Sequence, residues 1–235
     1  MKTLVARALA KRIKDGQTIG LGSGSTVELA IDQIQERISR EKLRISGVPT
    51  SHRVALIAAE AGINVLSPMI ACNLDWAFDG ADEIDNAFNM IKGRGGAMLN
   101  EKIMARRTAK LVIIVGEDKL VETLGKRHPV PVEVIPEAMP LVRKGLLGLG
   151  ARDSILRNSS EKYGPLITEH NNLILDTWFD SITPELEAKI KQLTGVVESG
   201  LFIGCTDEVF VARADGVYSR TLVQGKPAEV LIEKA

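Results

Sequence analysis

Apolar positions along this chain fall into two spacings that take turns. Leu4, Val5, Ala8 and Leu9, with Arg12, share one face at helical spacing, and Asp15-Gly16 marks the end of that segment. Thr18–Leu21 is a short apolar run of strand type. Val27, Ala30, Ile31, Ile34 and Ile38 return to helical spacing, with Ser25 or Thr26 placed to cap the helix. The pattern then predicts a strand over Leu43–Val48, a helix over Val54–Ala61 and a strand over Ile63–Leu66. Leu74–Phe78 reads as a strand with Asp79 at its end, Ala97–Ala109 as a helix, and Leu111–Val115 as a buried strand. Strands alternating with helices predict a mostly parallel sheet covered on both faces.

The pattern changes near Gly125–Pro131. It then reads strand (Val130–Ile135), helix (Glu137–Leu147), strand (Arg152–Arg157), strand (Asn172–Trp178), helix (Pro184–Leu193) and strand (Val196–Phe202). That is the β-α-β-β-α-β order of a ferredoxin-like module. Pro136 and Pro184 stand at the two helix starts, where a missing N–H costs nothing. Glu208–Arg213 and Gly216–Ser219 follow as a hairpin turning at Asp215-Gly216, expected to rejoin the first sheet. Thr221–Ala235 is mixed and predicts no element. The expected fold is α/β: a Rossmann-like catalytic domain from 1–127 with 204–235, and a smaller ferredoxin-like α+β domain at 128–203.

Three polar clusters lie just beyond apolar runs. Gly20-Leu-Gly-Ser-Gly-Ser-Thr26 joins a strand to a helix, so its free N–H groups and the helix dipole favour an anion such as phosphate. No Gly-Lys-Ser/Thr follows, which excludes a Walker loop. The acid that a dinucleotide site places after the next strand is missing, and Val48-Pro-Thr-Ser stands there instead. The plain alternative is a glycine-rich turn with a good cap.

Asp79-Gly-Ala-Asp-Glu-Ile-Asp85 sits at a strand's carboxyl end, where open parallel sheets bind ligands. Four acids in seven residues also permit a divalent cation, although Lys92 and Arg94 could neutralise them instead. A turn followed by a solvated acidic loop is the plain alternative. Lys92-Gly-Arg-Gly-Gly96 is too glycine-rich for a helix interior, and its lysine can reach a substrate oxygen. Glu101 follows in the first turns of a helix, where a glutamate is ordinarily a solvated charge. Val115-Gly-Glu-Asp-Lys119 places Lys119 beyond another strand, where it could pair with a phosphate or cap a surface turn.

Composition narrows the field. The chain has 235 residues, 45% hydrophobic and 26% charged, as in ordinary globular proteins. Its 30 basic and 30 acidic side chains cancel, so it lacks the basic excess of a duplex-binding protein. No run approaches the roughly 18 apolar residues of a membrane span, and the amphipathic start is not of signal-peptide type. Cys72 and Cys205 lack metal-type spacing and read as reduced thiols of a cytoplasmic protein. His52, His128 and His170 lie outside the clusters, which speaks against a Ser-His-Asp or Cys-His system. An acid–base enzyme would then use a carboxylate whose pKa burial can raise.

These residues resemble type A ribose-5-phosphate isomerase, from Lys2 to about Ser219. The resemblance rests on Gly-Leu-Gly-Ser-Gly-Ser-Thr, Asp-Gly-Ala-Asp-Glu-Ile, Met-Ile-Lys-Gly-Arg-Gly-Gly-Ala with Asn-Glu-Lys-Ile, and Pro-Val-Glu-Val-Ile-Pro136, in that order. It implies interconversion of D-ribose 5-phosphate and D-ribulose 5-phosphate in the pentose phosphate pathway, with no cofactor and no metal. Glu101 would be the general base working through an enediolate. Asp79, Asp82 and Lys92 would hold the sugar oxygens and stabilise its charge. Ser23, Gly24, Ser25 and Thr26 would line the substrate site, with Lys119 and Lys2 adding positive charge near the phosphate. Gly80, Ala81, Gly93, Arg94 and Gly95 would complete it. Ser23 stands where the family often has threonine, and residues 220–235 extend past its usual end.

The expected partner is a small sugar phosphate, with neither nucleic acid nor membrane, in an assembly of two or four copies. From the residues alone, other readings stay open. They are a sugar-phosphate isomerase/deaminase, an aldolase using Lys92 as a Schiff base, and a silent sugar-phosphate sensor. A sensor would be expected to carry a DNA-binding or partner module, and no helix-turn-helix unit or basic patch is evident.

Overall fold

Helix α1 (Lys2–Ala10) leads into β1 (Thr18–Leu21), α2 (Ser25–Glu41), β2 (Ser46–Pro49), α3 (His52–Glu60) and β3 (Asn64–Val65). Next come β4 (Trp76–Asp79), β5 (Glu83–Ile84), β6 (Met90–Ile91), α4 (Met98–Arg107) and β7 (Leu111–Gly116). Then follow β8 (Val130–Val134), α5 (Met139–Gly148), β9 (Ala151–Leu156), β10 (Leu173–Phe179), α6 (Glu185–Lys191) and β11 (Val196–Ser199). The chain closes with β12 (Leu201–Phe202), β13 (Glu208–Arg213), β14 (Gly216–Val223) and β15 (Lys226–Lys234). The structure is a computed structural model and describes residues 1–70, 73–160 and 163–235. Cys205 is a free, half-buried thiol, and Cys72 lies outside the described residues.

Eight strands form the main sheet in the order β15-β14-β13-β7-β4-β1-β2-β3. The six from β13 to β3 run parallel, and β14 and β15 are antiparallel additions at one edge. Successive side chains of a strand point to opposite faces. Ile19, Leu21 and Phe78 therefore join α1, α2 and α3 in one core, while Ala77, Ile113 and Val115 join Met98 and Met104 of α4 in another. After β1 the chain builds outward through β2 and β3, and after β4 it builds the other way through β7 and β13. The strand order thus reverses between β1 and β4, which opens a crevice at their carboxyl ends.

The β8–β11 segment has the expected β-α-β-β-α-β order and pairs as β11-β8-β10-β9 around a third core. One expected strand is corrected. Val196–Phe202 breaks at Gly200, so that β11 pairs with β8 while β12 pairs with β6 in a small three-stranded sheet. A Cβ at Gly200 would lie 2.2 Å from the Lys92 carbonyl oxygen and 2.6 Å from Pro131 Cδ. The backbone crosses there too tightly for any side chain. The tail is also placed now: it extends the predicted hairpin and adds β15 to the main sheet.

Candidate active site

Asp79 is the last residue of β4 and is 1% exposed. Its Oδ1 accepts from the backbone N–H of Ser23 (3.1 Å) and of Gly80 (2.7 Å). The loop after β1 therefore folds directly over it. A Cβ at Gly22 would stand 2.2 Å from Asp79 Cγ, so the close approach requires glycine.

Lys92 follows β6, and its own N–H donates to the Gly200 carbonyl (2.9 Å). Its side chain is buried, and Nζ reaches three oxygens: the Gly80 carbonyl at 2.5 Å, Asp79 Oδ2 at 3.0 Å and Glu101 Oε2 at 3.3 Å. The Phe202 ring lies 5.5 Å from the ammonium and adds a cation–π contact. Glu101 is in the first turn of α4 and is buried, which corrects the ordinary expectation of a solvated helix charge. Its neighbour Lys102 is spent on structure, bonding Glu187, Glu198 and the Leu201 carbonyl.

One cation thus faces two enclosed carboxylates. Burial by itself would lower the Lys92 pKa, but Asp79 and Glu101 outweigh it and hold the ammonium charged well above the ordinary lysine value. Burial pushes Glu101 up to about 8, with the Asp79 charge adding to the rise and Lys92 opposing it. Burial also raises Asp79, against the pull of Lys92 and the two backbone N–H groups. Burial thus pushes both carboxyls up, and the Lys92 ammonium opposes the rise at each.

These groups border a cleft of about 370 Å³. Its lining takes in Lys2, Ser23, Gly24, Ser25, Thr26, Gly80, Ala81, Asp82, Lys92, Gly93, Arg94, Gly95, Glu101 and Lys119. Asp79 is off the lining, enclosed behind Lys92 and the Ser23 backbone. Asp82 Oδ2 accepts from the Arg94 N–H (3.1 Å), which ties the acidic turn to the glycine loop. At the other end, Lys2 Nζ from α1 donates to Ser25 Oγ at 2.9 Å.

The capping expectation is corrected here. Gly24 is the N-cap of α2 without a side-chain bond, and Ser25 is already the first helical residue. The first backbone N–H groups of a 17-residue helix are therefore left to face an anion. Lys119 ends a short 3-10 turn after β7, with Asp118 3.9 Å away. Among the described residues, no three His, Cys, Asp or Glu gather in a metal-holding group.

Sequence reasoning missed Thr50 and Ser51, whose hydroxyls lie 2.7 Å and 3.1 Å from Ser23 Oγ. Their position beyond the β2 carboxyl end, in the Val48-Pro-Thr-Ser stretch, was the available signal. It also missed Phe202, which only the broken strand brings beneath Lys92.

The chain matches the family described as ribose 5-phosphate isomerase A (phosphoriboisomerase A) over residues 46–216. It is 42% identical over 219 residues to ribose-5-phosphate isomerase A of Synechococcus sp., covering 92% of this chain and 94% of the relative. It is 41% identical over 219 residues to the protein of that name from Methanothermobacter thermautotrophicus, covering 92% and 96%. Among solved structures, ribose 5-phosphate isomerase A from Methanocaldococcus jannaschii superposes with a TM-score of 0.90 at 38% identity, covering 94% of this chain and 98% of that one. A D-ribose-5-phosphate isomerase in complex with phospho-erythronic acid superposes with a TM-score of 0.91 at 38% identity, covering 94% and 97%.

Proposed function

This chain belongs to the ribose 5-phosphate isomerase A family, and from that premise we propose how its cleft interconverts D-ribose 5-phosphate and D-ribulose 5-phosphate. The observation that carries the reading is the Lys92 ammonium between Asp79 and Glu101, in a cleft that also holds Lys2, Ser25, Thr26 and Lys119. The phosphate sits at the α2 N-terminus, among the Ser25 and Thr26 donors, with Lys2 and Lys119 supplying charge. The sugar then extends toward Lys92. Glu101, as carboxylate, removes the C2 proton of the open-chain aldose. The electron pair forms the C1–C2 double bond as the aldehyde oxygen takes the charge. Lys92 stabilises that enediolate, Asp82 holds the hydroxyls and assists ring opening, and Asp79, enclosed behind Lys92, holds the ammonium in place. The C2 hydroxyl proton passes to the former aldehyde oxygen as C2 becomes the carbonyl, and Glu101 returns its own proton to C1, so no atom is gained or lost.

A Schiff-base role for Lys92 fits poorly, because an attacking amine must be neutral and two carboxylates keep this one protonated. Phospho-erythronic acid, bound by the similar solved isomerase, joins a phosphate to a planar carboxylate, which resembles an enediolate in shape and charge.

The same proposal takes the polypeptide as two domains, 1–127 with 204–235 and 128–203. It places the enzyme in the cytoplasm as an assembly of two or four copies, acting without cofactor or metal in the pentose phosphate pathway. No helix among the described residues is long and apolar enough to cross a membrane.

Turnover in D₂O tests the proton route. Deuterium should appear on C1 of ribulose 5-phosphate, and substrate deuterated at C2 should lose label to ordinary water. Complete intramolecular transfer, together with full activity in Glu101→Gln, overturns it.

A further inference from the structure

The glycine loop that carries Lys92 is held from outside the cleft. Arg157 lies just past β9, with its side chain 13% exposed. Its Nη1 donates to the carbonyls of Gly93 (2.8 Å) and Arg94 (3.0 Å). Its Nε and Nη2 form a bidentate pair with Asp176 of β10 at 2.9 Å and 2.5 Å. The Arg157 backbone is itself fixed to that strand, its N–H donating to the Ile174 carbonyl at 2.9 Å. On the far side of the loop, the Arg94 N–H holds Asp82 Oδ2. A continuous path therefore runs from Asp176 through Arg157 and the loop peptides to Asp82, with Lys92 one residue from the anchored Gly93 carbonyl.

We propose that Arg157, backed by Asp176, is a positioning residue for the isomerase reaction. It clamps the 93–94 peptides so that Lys92 and Asp82 stay registered on the sugar end of the substrate. Its own side chain faces a neighbouring cavity of about 620 Å³ rather than the cleft, so it acts through the loop. The physical need is plain. Three glycines in five residues leave the loop many backbone states, and fixing them costs conformational entropy. The planar guanidinium meets a carboxylate and two carbonyls at once. A lysine ammonium, a point charge with three donors, cannot reproduce that fork.

The phosphate cradle lies on other elements, and this separates a positioning role from general support. Arg157→Lys and Arg157→Met are compared with the parent in kcat, KM, pH profile and two inhibition constants. One is for inorganic phosphate, which reads the cradle alone, and the other for phospho-erythronic acid, which also reads the sugar end. The expected result is a kcat lower by about tenfold or more, with phospho-erythronic acid weakened to a similar degree and phosphate changed by less than about twofold. The apparent pKa of kcat/KM should rise, because a displaced Lys92 no longer lowers Glu101. Asp176→Asn keeps the arginine and weakens only its backing, so it should give the same signature at smaller amplitude. It decides the matter should Arg157→Met not fold. Variants with parental kcat and pH profile overturn the proposal, as does equal weakening of both inhibitors with a lowered melting temperature. The inference rests on the isomerase reading. An inactive parent sinks that reading, whereas an active parent with unaffected Arg157 variants sinks only this one.

Discussion

Lys92 Nζ stands 3.3 Å from Glu101 Oε2, and both side chains are almost wholly enclosed by protein. The contact opposes, without cancelling, the rise that burial and Asp79 impose on the base. Lys92 draws the Glu101 pKa down, while burial and Asp79 push it further up, to about 8. A general base works only when deprotonated. In the free enzyme, kcat/KM should therefore rise with pH through a midpoint near 8 rather than near the ordinary carboxylate value. Glu101→Gln keeps the shape but cannot take a proton, and should lose about 10²–10⁴-fold in turnover. Steady-state rates across pH check both, and a variant within about threefold of the parent removes Glu101 from the base role.

The same shift bears on stability. Glu101 has a folded-state pKa of about 8 against an ordinary value of 4.5. The stability linked to its proton is complete below the unfolded value and is lost as pH rises through the folded one. Glu101→Gln has no such proton to lose. Its melting temperature should fall less than the parent's between about pH 6 and pH 9. Parallel melting curves for the two proteins would contradict the raised pKa.

At the cradle, binding energy from the phosphate positions the reacting carbons. Lys2 bonds Ser25 directly, and Lys119 lines the same cleft. Lys2→Ala and Lys119→Ala should mainly raise KM, each by about tenfold, the worth of one charge-assisted contact. Unphosphorylated ribose should be a very poor substrate. Comparable kcat/KM for ribose and ribose 5-phosphate would show that the cradle is misassigned.

Gly200→Ala tests the crossing beneath Lys92. The added Cβ would meet the Lys92 carbonyl oxygen at 2.2 Å, so the two backbones must separate. Overpacking of this kind costs about 1–3 kcal/mol. The shift also moves Lys92 away from Glu101. Denaturant unfolding should show the stability loss, and kcat should fall with it. A stable variant with parental kcat would mean that the crossing does not locate Lys92.

Much of this protein was legible along the chain, because each signal was local. Helical and strand spacings report which face of a segment is buried. They placed β1, α2, β4 and β7, and they gave the β-α-β-β-α-β order of the smaller module. Glycine-rich turns after apolar runs marked the residues that now line one cleft. What escaped depends on partners distant in sequence. Gly200 sits inside an uninterrupted strand-like run, and only the Lys92 backbone packed against it explains why Val196–Phe202 is divided between two sheets. The tail gave no alternating pattern because most of β15 is exposed, so no buried face imposes a period on it. Glu101 looks like a surface helix charge until α4 is folded against Lys92 and Asp79. Residue types and turns dictated which groups this protein could use. Desolvation and ion pairing, which exist only once the segments are packed together, decided that the two buried carboxyls are pushed up and that Lys92 stays charged.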